Sequence, residues 1–149
     1  MPDRIFPCLL LPGQAEAAVD FYCAVLPGAR RLRTIRGGPG GPDAVLTVEF
    51  ELDGRLHLAL NAGPEPAPSM IVSLVAACAD QAEIDRLWAA LAEGGEHGRC
   101  GWLRDRFGLY WQVCPANFGE LLADPERAPR VFAAMIRMGK LDIATLEAA

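Results

Sequence analysis

The residue with the widest chemical range in this chain is His57, in the run Arg55-Leu56-His57-Leu58-Ala59-Leu60-Asn61. An imidazole titrates near neutral pH, so it can move a proton or ligate a metal. Alternation puts Leu56, Leu58 and Leu60 on one side of a strand and His57, Ala59 and Asn61 on the other. If helices cover the leucines, His57 and Asn61 face an open, concave side, where polar groups persist only if hydrogen-bonded, hydrated or ligand-bound. The same alternation over 109–114 sends Trp111 and Val113 under a helix and Tyr110 and Gln112 to the open side, joined by Ser73 and Val75. Trp102, beside Gly101, could stack on an aromatic ligand. The expected ligand-binding set is therefore His57, Asn61, Ser73, Trp102, Tyr110 and Gln112. A structural role stays open for each: His57 satisfied by neighbours on a partly wet sheet, the amides and Ser73 as hydrogen-bonders, the aromatics as core.

Other reactive groups carry less. His97 lies in a glycine-rich stretch and reads as simply exposed. The five cysteines form no C-x-x-C pair and leave one over, which argues against a disulfide framework or a zinc site and for reduced thiols. Cys8 reads as an inert buried thiol, because no His or carboxylate partner can be assigned to activate it. The glycine cluster at 37–41 contains Pro39, precedes a strand and opens no helix, so it lacks the context of a nucleotide-binding turn. No residue can be assigned a catalytic role.

Composition narrows the partners. The net charge is -5 and the only lysine is Lys140, which leaves no broad cationic face for nucleic acid. Arg30, Arg31, Arg33 and Arg36 cluster, but they alternate with Leu32 and Ile35 as an exposed strand edge would. No apolar run has the length of a membrane span or a signal sequence, so the expected setting is the cytoplasm, without membrane partners.

The elements that must position these groups read as α+β. An apolar strand at 5–11 closes at Pro12-Gly13, and a helix follows whose stripe is Ala18, Phe21, Tyr22 and Val25. Strands are expected at 29–36 and 43–52, and Asp53-Gly54 is a strong hairpin signal that returns the chain over 55–61. The order then repeats: a strand at 70–78, a helix with Ile84, Leu87, Trp88 and Leu91 on one stripe, a segment at 99–104, a turn at 105–108 and a strand at 109–114. Gln14-Ala15-Glu16 reappears as Gln81-Ala82-Glu83, the mark of an internal duplication. The expected organisation is a single domain over 1–149: a βαβββ module at 5–62, a linker at 63–69, a second βαβββ module at 70–115 and C-terminal helices over 116–149. Together the modules would form a curved mixed sheet around a cavity, with helices on the outer face. Within the tail, Asp124-Pro125-Glu126 reads as a helix start, and Val131, Met135 and Met138 as its buried stripe.

Six separated blocks carry a resemblance: Pro7-Cys8-Leu9, residues 14–22, residues 46–54, Leu58-Ala59-Leu60-Asn61, Asp80-Gln81-Ala82-Glu83 and residues 100–108. They resemble the PhnB-like branch of the vicinal oxygen chelate superfamily, which contains glyoxalase I, fosfomycin resistance thiol transferases, extradiol dioxygenases and metal-free bleomycin-binding proteins. The resemblance implies a homodimer. It also implies that a divalent metal, where present, takes one ligand from the first and one from the last strand of each module, positions that fall on Pro7, His57, Ser73 and Gln112. Proline offers no donor and serine a poor one, so no tightly bound metal and no other cofactor is expected. The expected function is a cavity that holds a small, partly aromatic organic molecule. The alternatives are a metal-dependent glyoxalase-like lyase or thiol transferase, and a closed protein that interacts through its C-terminal helices.

Overall fold

The computed structural model describes residues 5–37 and 40–149. The chain divides into two compact units, Met1–Ala67 and Pro68–Ala149. Each carries one βαβββ module and one open four-stranded mixed sheet, so the α+β class expected from the sequence is the one the chain adopts.

In the first unit the order is β1 (Cys8–Leu10), α1 (Ala15–Val25), β2 (Arg30–Arg36), β3 (Val45–Leu52) and β4 (Arg55–Leu60). The sheet order is β1-β4-β3-β2, with β1 parallel to β4 and the other pairs antiparallel. Asp53 and Gly54 both take positive φ, 49° and 74°, which is the twist a two-residue hairpin needs between right-twisted strands. That turn fixes the β3–β4 register, pairing Leu52 with Arg55, Phe50 with His57 and Val48 with Ala59.

Helix α1 packs on this sheet through Ala15, Ala18, Val19 and Tyr22, all fully buried, against Val48, Phe50 and Ala59, also fully buried. Small residues at 15, 18 and 59 let helix and sheet approach closely, and the Tyr22 ring stacks on Phe50 at 6.2 Å.

In the second unit β5 (Ser73–Cys78), α2 (Gln81–Ala92), β6 (Glu96–His97), β7 (Trp102–Arg104) and β8 (Tyr110–Pro115) form the sheet β5-β8-β7-β6, with β5 parallel to β8. The Asp80 carboxylate accepts from the Glu83 amide, and the Glu83 carboxylate accepts from the Ala79 amide, so α2 begins with a reciprocal cap. Ile84, Leu87, Trp88 and Leu91 are its buried stripe, as expected. Leu103, Trp111 and Val113 form the buried side of the sheet.

Three elements differ from expectation. The strands at 5–11 and 70–78 shorten to Cys8–Leu10 and Ser73–Cys78, leaving Ile5 94% and Ile71 93% exposed. An apolar run becomes strand only where a neighbour offers a ladder, and β8, the partner of β5, starts at Tyr110 directly opposite Ser73. Strand β6, not expected, is two residues in the stretch read as a loop. It lies close to β7 because Gly95 has no side chain: a Cβ there would meet the Arg104 carbonyl oxygen at 2.1 Å.

The tail forms α3 (Phe118–Ala123), α4 (Ala128–Met135) and α5 (Ile143–Ala148). Val131, Leu121, Leu141 and Leu146 bury against Cys114, with Met135 and Met138 packed alongside. Asp124 does accept from the Glu126 and Arg127 amides, but it closes a turn, and α4 proper begins at Ala128. Among the described residues, no helix is long and apolar enough to cross a membrane.

Candidate functional site

The second sheet has one covered side and one open side. Opposite Leu103, Trp111 and Val113, the register groups Trp102 with Gln112, Arg104 with Tyr110, Ser73 with Tyr110 and Val75 with Gln112. Ser73, Trp102, Tyr110, Gln112 and Arg104 are all half-buried, whereas Leu103, Trp111 and Val113 on the other side are at most 2% exposed. The Gln112 side-chain amide donates to Ser73 Oγ at 2.9 Å, which orients both groups. Four expected site residues therefore share one side of one sheet, beside half-exposed aromatic surface.

This face rests on Asp105, 2% exposed. Its Oδ1 accepts from the Phe107 and Leu109 amides at 2.9 and 3.0 Å and its Oδ2 from the Trp111 indole at 2.9 Å. The turn between β7 and β8 is thereby tied to the core side of β8, which fixes the register that brings Arg104 and Tyr110 together. Gly101, at φ 81°, leaves no room for a Cβ, which would lie 2.7 Å from the Val113 carbonyl oxygen. The backbone entering Trp102 is held by contacts only glycine allows.

In the first unit the expected facing is reversed. His57 lies under α1, 6% exposed, with its ring 5.3 Å from Phe50, which in turn stacks on Tyr22 of α1. Its Nδ1 donates to the Arg55 carbonyl oxygen at 2.9 Å, since a carbonyl only accepts. Asn61 turns the same way: its Oδ1 accepts from the Ala15 amide at the start of α1, and its Nδ2 donates to the Val45 carbonyl. The leucines Leu56, Leu58 and Leu60 are the half-exposed side, with Thr47, Glu49 and Glu51 opposite them in register. The physical reason is the hairpin: once Phe50 is in the core, the cross-strand partner His57 must share its side.

Other expectations are revised in detail. Cys8 is exposed rather than buried, aligned with Leu58 on the side away from α1, and partial desolvation raises its thiol above the usual range. It is therefore not an activated nucleophile. His97 is exposed, as expected, but sits on β6 with its ring stacked on Trp88 at 4.7 Å. Three of the four β2 arginines are ion-paired, Arg30 with Glu51, Arg33 with Glu49 and Arg31 with Glu16 and Asp20, and Arg36 donates to the Asp43 carbonyl. The five cysteines are free, and burial pushes the Cys78 thiol up to about 12.

The four positions where the resemblance implies metal ligands do not form a donor set. Pro7 has no donor, and His57 points under a helix with Nδ1 committed to a carbonyl. Ser73 and Gln112 are bonded to each other. Among the described residues, no three His, Cys, Asp or Glu side chains are grouped as a metal site. These residues do not fit a tightly held divalent cation.

Residues 3–114 match the family described as 3-demethylubiquinone-9 3-methyltransferase. No curated protein matches. Among solved structures, the chain is similar to a PhnB protein from Bacillus cereus, with 25% identity, a TM-score of 0.68, and 74% of this chain and 98% of that one covered. A protein from Pseudomonas aeruginosa is similar at 24% identity and TM-score 0.60, covering 76% and 98%. The fosfomycin resistance protein FosX from Listeria monocytogenes, solved with Mn(II) and sulfate, shares the fold at 10% identity and TM-score 0.57, covering 83% and 97%. With that match across three quarters of its length, the chain belongs to the 3-demethylubiquinone-9 3-methyltransferase family, the PhnB-like branch of the vicinal oxygen chelate superfamily.

Proposed function

We propose that this protein binds a small, partly aromatic organic molecule on the open side of its second sheet, with Ser73, Trp102, Tyr110 and Gln112 as contacts. The observation that carries this reading is the Gln112–Ser73 pair set between half-buried Trp102 and Tyr110, opposite a fully packed side. Apolar and aromatic lining with a few oriented polar groups is how small-molecule sites are usually built. His57 and Asn61 are left out, because their hydrogen bonds serve α1 and β4. No tightly bound metal takes part, given the donor set. The glycine-rich stretch at 37–41 lies partly outside the described residues, and the element that follows it is strand β3 and no helix, so it gives methyl transfer no nucleotide-binding turn. Five free thiols fit a reducing compartment such as the cytoplasm. A homodimer is the proposed state, since Met70, Ile71 and Val72 lie exposed beside edge strand β5.

A thermal-shift screen of small aromatic metabolites and antibiotics tests the site, because binding to the native state raises the midpoint. The expected result is a shift that Trp102→Ala and Gln112→Ala abolish and His57→Gln leaves in place. Equal shifts in the wild type and both site variants would sink the assignment. Elemental analysis after chelator dialysis tests the metal reading, and a retained full equivalent of Mn, Ni, Zn or Fe would overturn it.

A further inference from the structure

Arg104 is the one cation on the open side of the second sheet for which an unmet hydrogen-bonding need is evident among the described residues. It stands across from Tyr110 on β8 and across from Glu96 on β6. Its Nη2 pairs with Glu96 Oε2 at 3.0 Å, but its Nε is shut off from solvent and has no acceptor among the described residues. A guanidinium N–H buried without an acceptor is destabilising, and native structures rarely tolerate one without a use. The Glu96 side chain is 70% exposed, so the ion pair with it is weak and exchangeable. The Arg104 side chain as a whole is 29% exposed, so it is not sealed in the core.

We infer that Arg104 receives the carboxylate of the ligand, so that the molecule bound here is an aromatic carboxylic acid. A carboxylate matches the fork of Nε and one Nη with two parallel hydrogen bonds, and a small turn of the guanidinium away from Glu96 brings the buried Nε to it. Tyr110 on the same side and the Ser73–Gln112 pair beyond it leave the ring of the ligand against aromatic surface, with Trp102 flanking Gln112. The exchange replaces an exposed, water-competing partner by one that satisfies the orphaned donor. This inference rests on the proposed ligand site and adds the charge of the ligand to it.

Benzoate and its neutral isostere benzamide are the probes, titrated into the full chain and followed by calorimetry and by the Nε–H resonance of Arg104. The wild type is expected to bind benzoate roughly tenfold more tightly than benzamide, the worth of one charge-assisted bidentate contact. Arg104→Met should bind both equally, with benzamide affinity unchanged. Glu96→Gln, at an exposed side chain that does not carry the fold, should strengthen benzoate and leave benzamide alone. Equal wild-type affinities, or a benzoate preference that survives Arg104→Met, would overturn the role of Arg104 while the aromatic site stands. Failure of the wild type to bind either probe would overturn both.

Discussion

The indole of Trp111 donates to the carboxylate of Asp105 at 2.9 Å, and this bond joins the β7–β8 turn to the core beneath it. The same carboxylate holds two turn amides. Asp105→Ala would leave three donors without their acceptor in a place water barely reaches. The expected cost is about 3 kcal/mol or more in urea unfolding, with Asp105→Asn losing less. Equal stability of wild type and Asp105→Ala would show that the turn holds itself.

His57 tests the reversed facing in the first unit. Beneath α1, replacement by alanine opens a cavity beside Phe50 and should cost about 2 kcal/mol. Nitrogen NMR should find the proton on Nδ1, as its bond to the Arg55 carbonyl requires. A ring with the proton on Nε2, or a solvent-accessible ring, would contradict the placement.

Thiol chemistry separates the cysteines. Burial raises the Cys78 thiol to about 12 and raises Cys114 as well, so both are un-ionised and shielded near neutral pH. Iodoacetamide at pH 8 should label Cys8 first, and slowly, while Cys78 reacts only on unfolding. Early modification of Cys78, read by peptide mass, would refute this.

Acid should loosen the tail. The Asp142 carboxyl is held below its ordinary 3.8 by hydrogen bonds from Thr145, and Asp85 is held below the same value first by Lys140 and then by Gln81. A carboxyl lowered in the folded state adds stability above its ordinary value and loses it as pH falls through the lowered one. Protection of the Thr145 amide, measured against its intrinsic exchange rate, should therefore fall as pH drops below 3.8. Asp142→Asn keeps an acceptor but cannot titrate, so the step should vanish; its persistence would place the cause elsewhere.

Gly95→Ala pushes a methyl into the Arg104 carbonyl, displacing β7 from β6. Overpacking at backbone should cost roughly 3 kcal/mol. It should also weaken the benzoate preference more than benzamide binding, since the displaced residue is Arg104. A normal Tm for this variant would mean that β6 yields freely.

The architecture was legible because both modules write their periods clearly: helix stripes at Tyr22 and Trp88, and alternation at Val48 and Phe50. The side chosen for β8 was legible for a simple reason, that only Trp111 and Val113 offered an apolar set. Strand β4 has apolar residues on both sides, and leucine content alone pointed the wrong way. The deciding signal was nonetheless present, because the two-residue turn at Asp53-Gly54 pairs Phe50 with His57 and so commits the imidazole to the side of Phe50. What the chain could not announce was β6, whose two residues rest on the close approach allowed by Gly95, and Arg104, whose unmet donor emerges only in three dimensions.

The tail reaches the backbone just ahead of Trp102. The Met138 carbonyl accepts from the Cys100 amide and the Gly139 carbonyl from the Gly101 amide, although residues 138 and 139 lie outside the 3–114 span of the family match. The geometry of a residue inside the family match is thus held by a segment outside it. Loss of the tail would strip the Cys100 and Gly101 amides of both acceptors at once, so a change far along the chain can shift the backbone leading into β7.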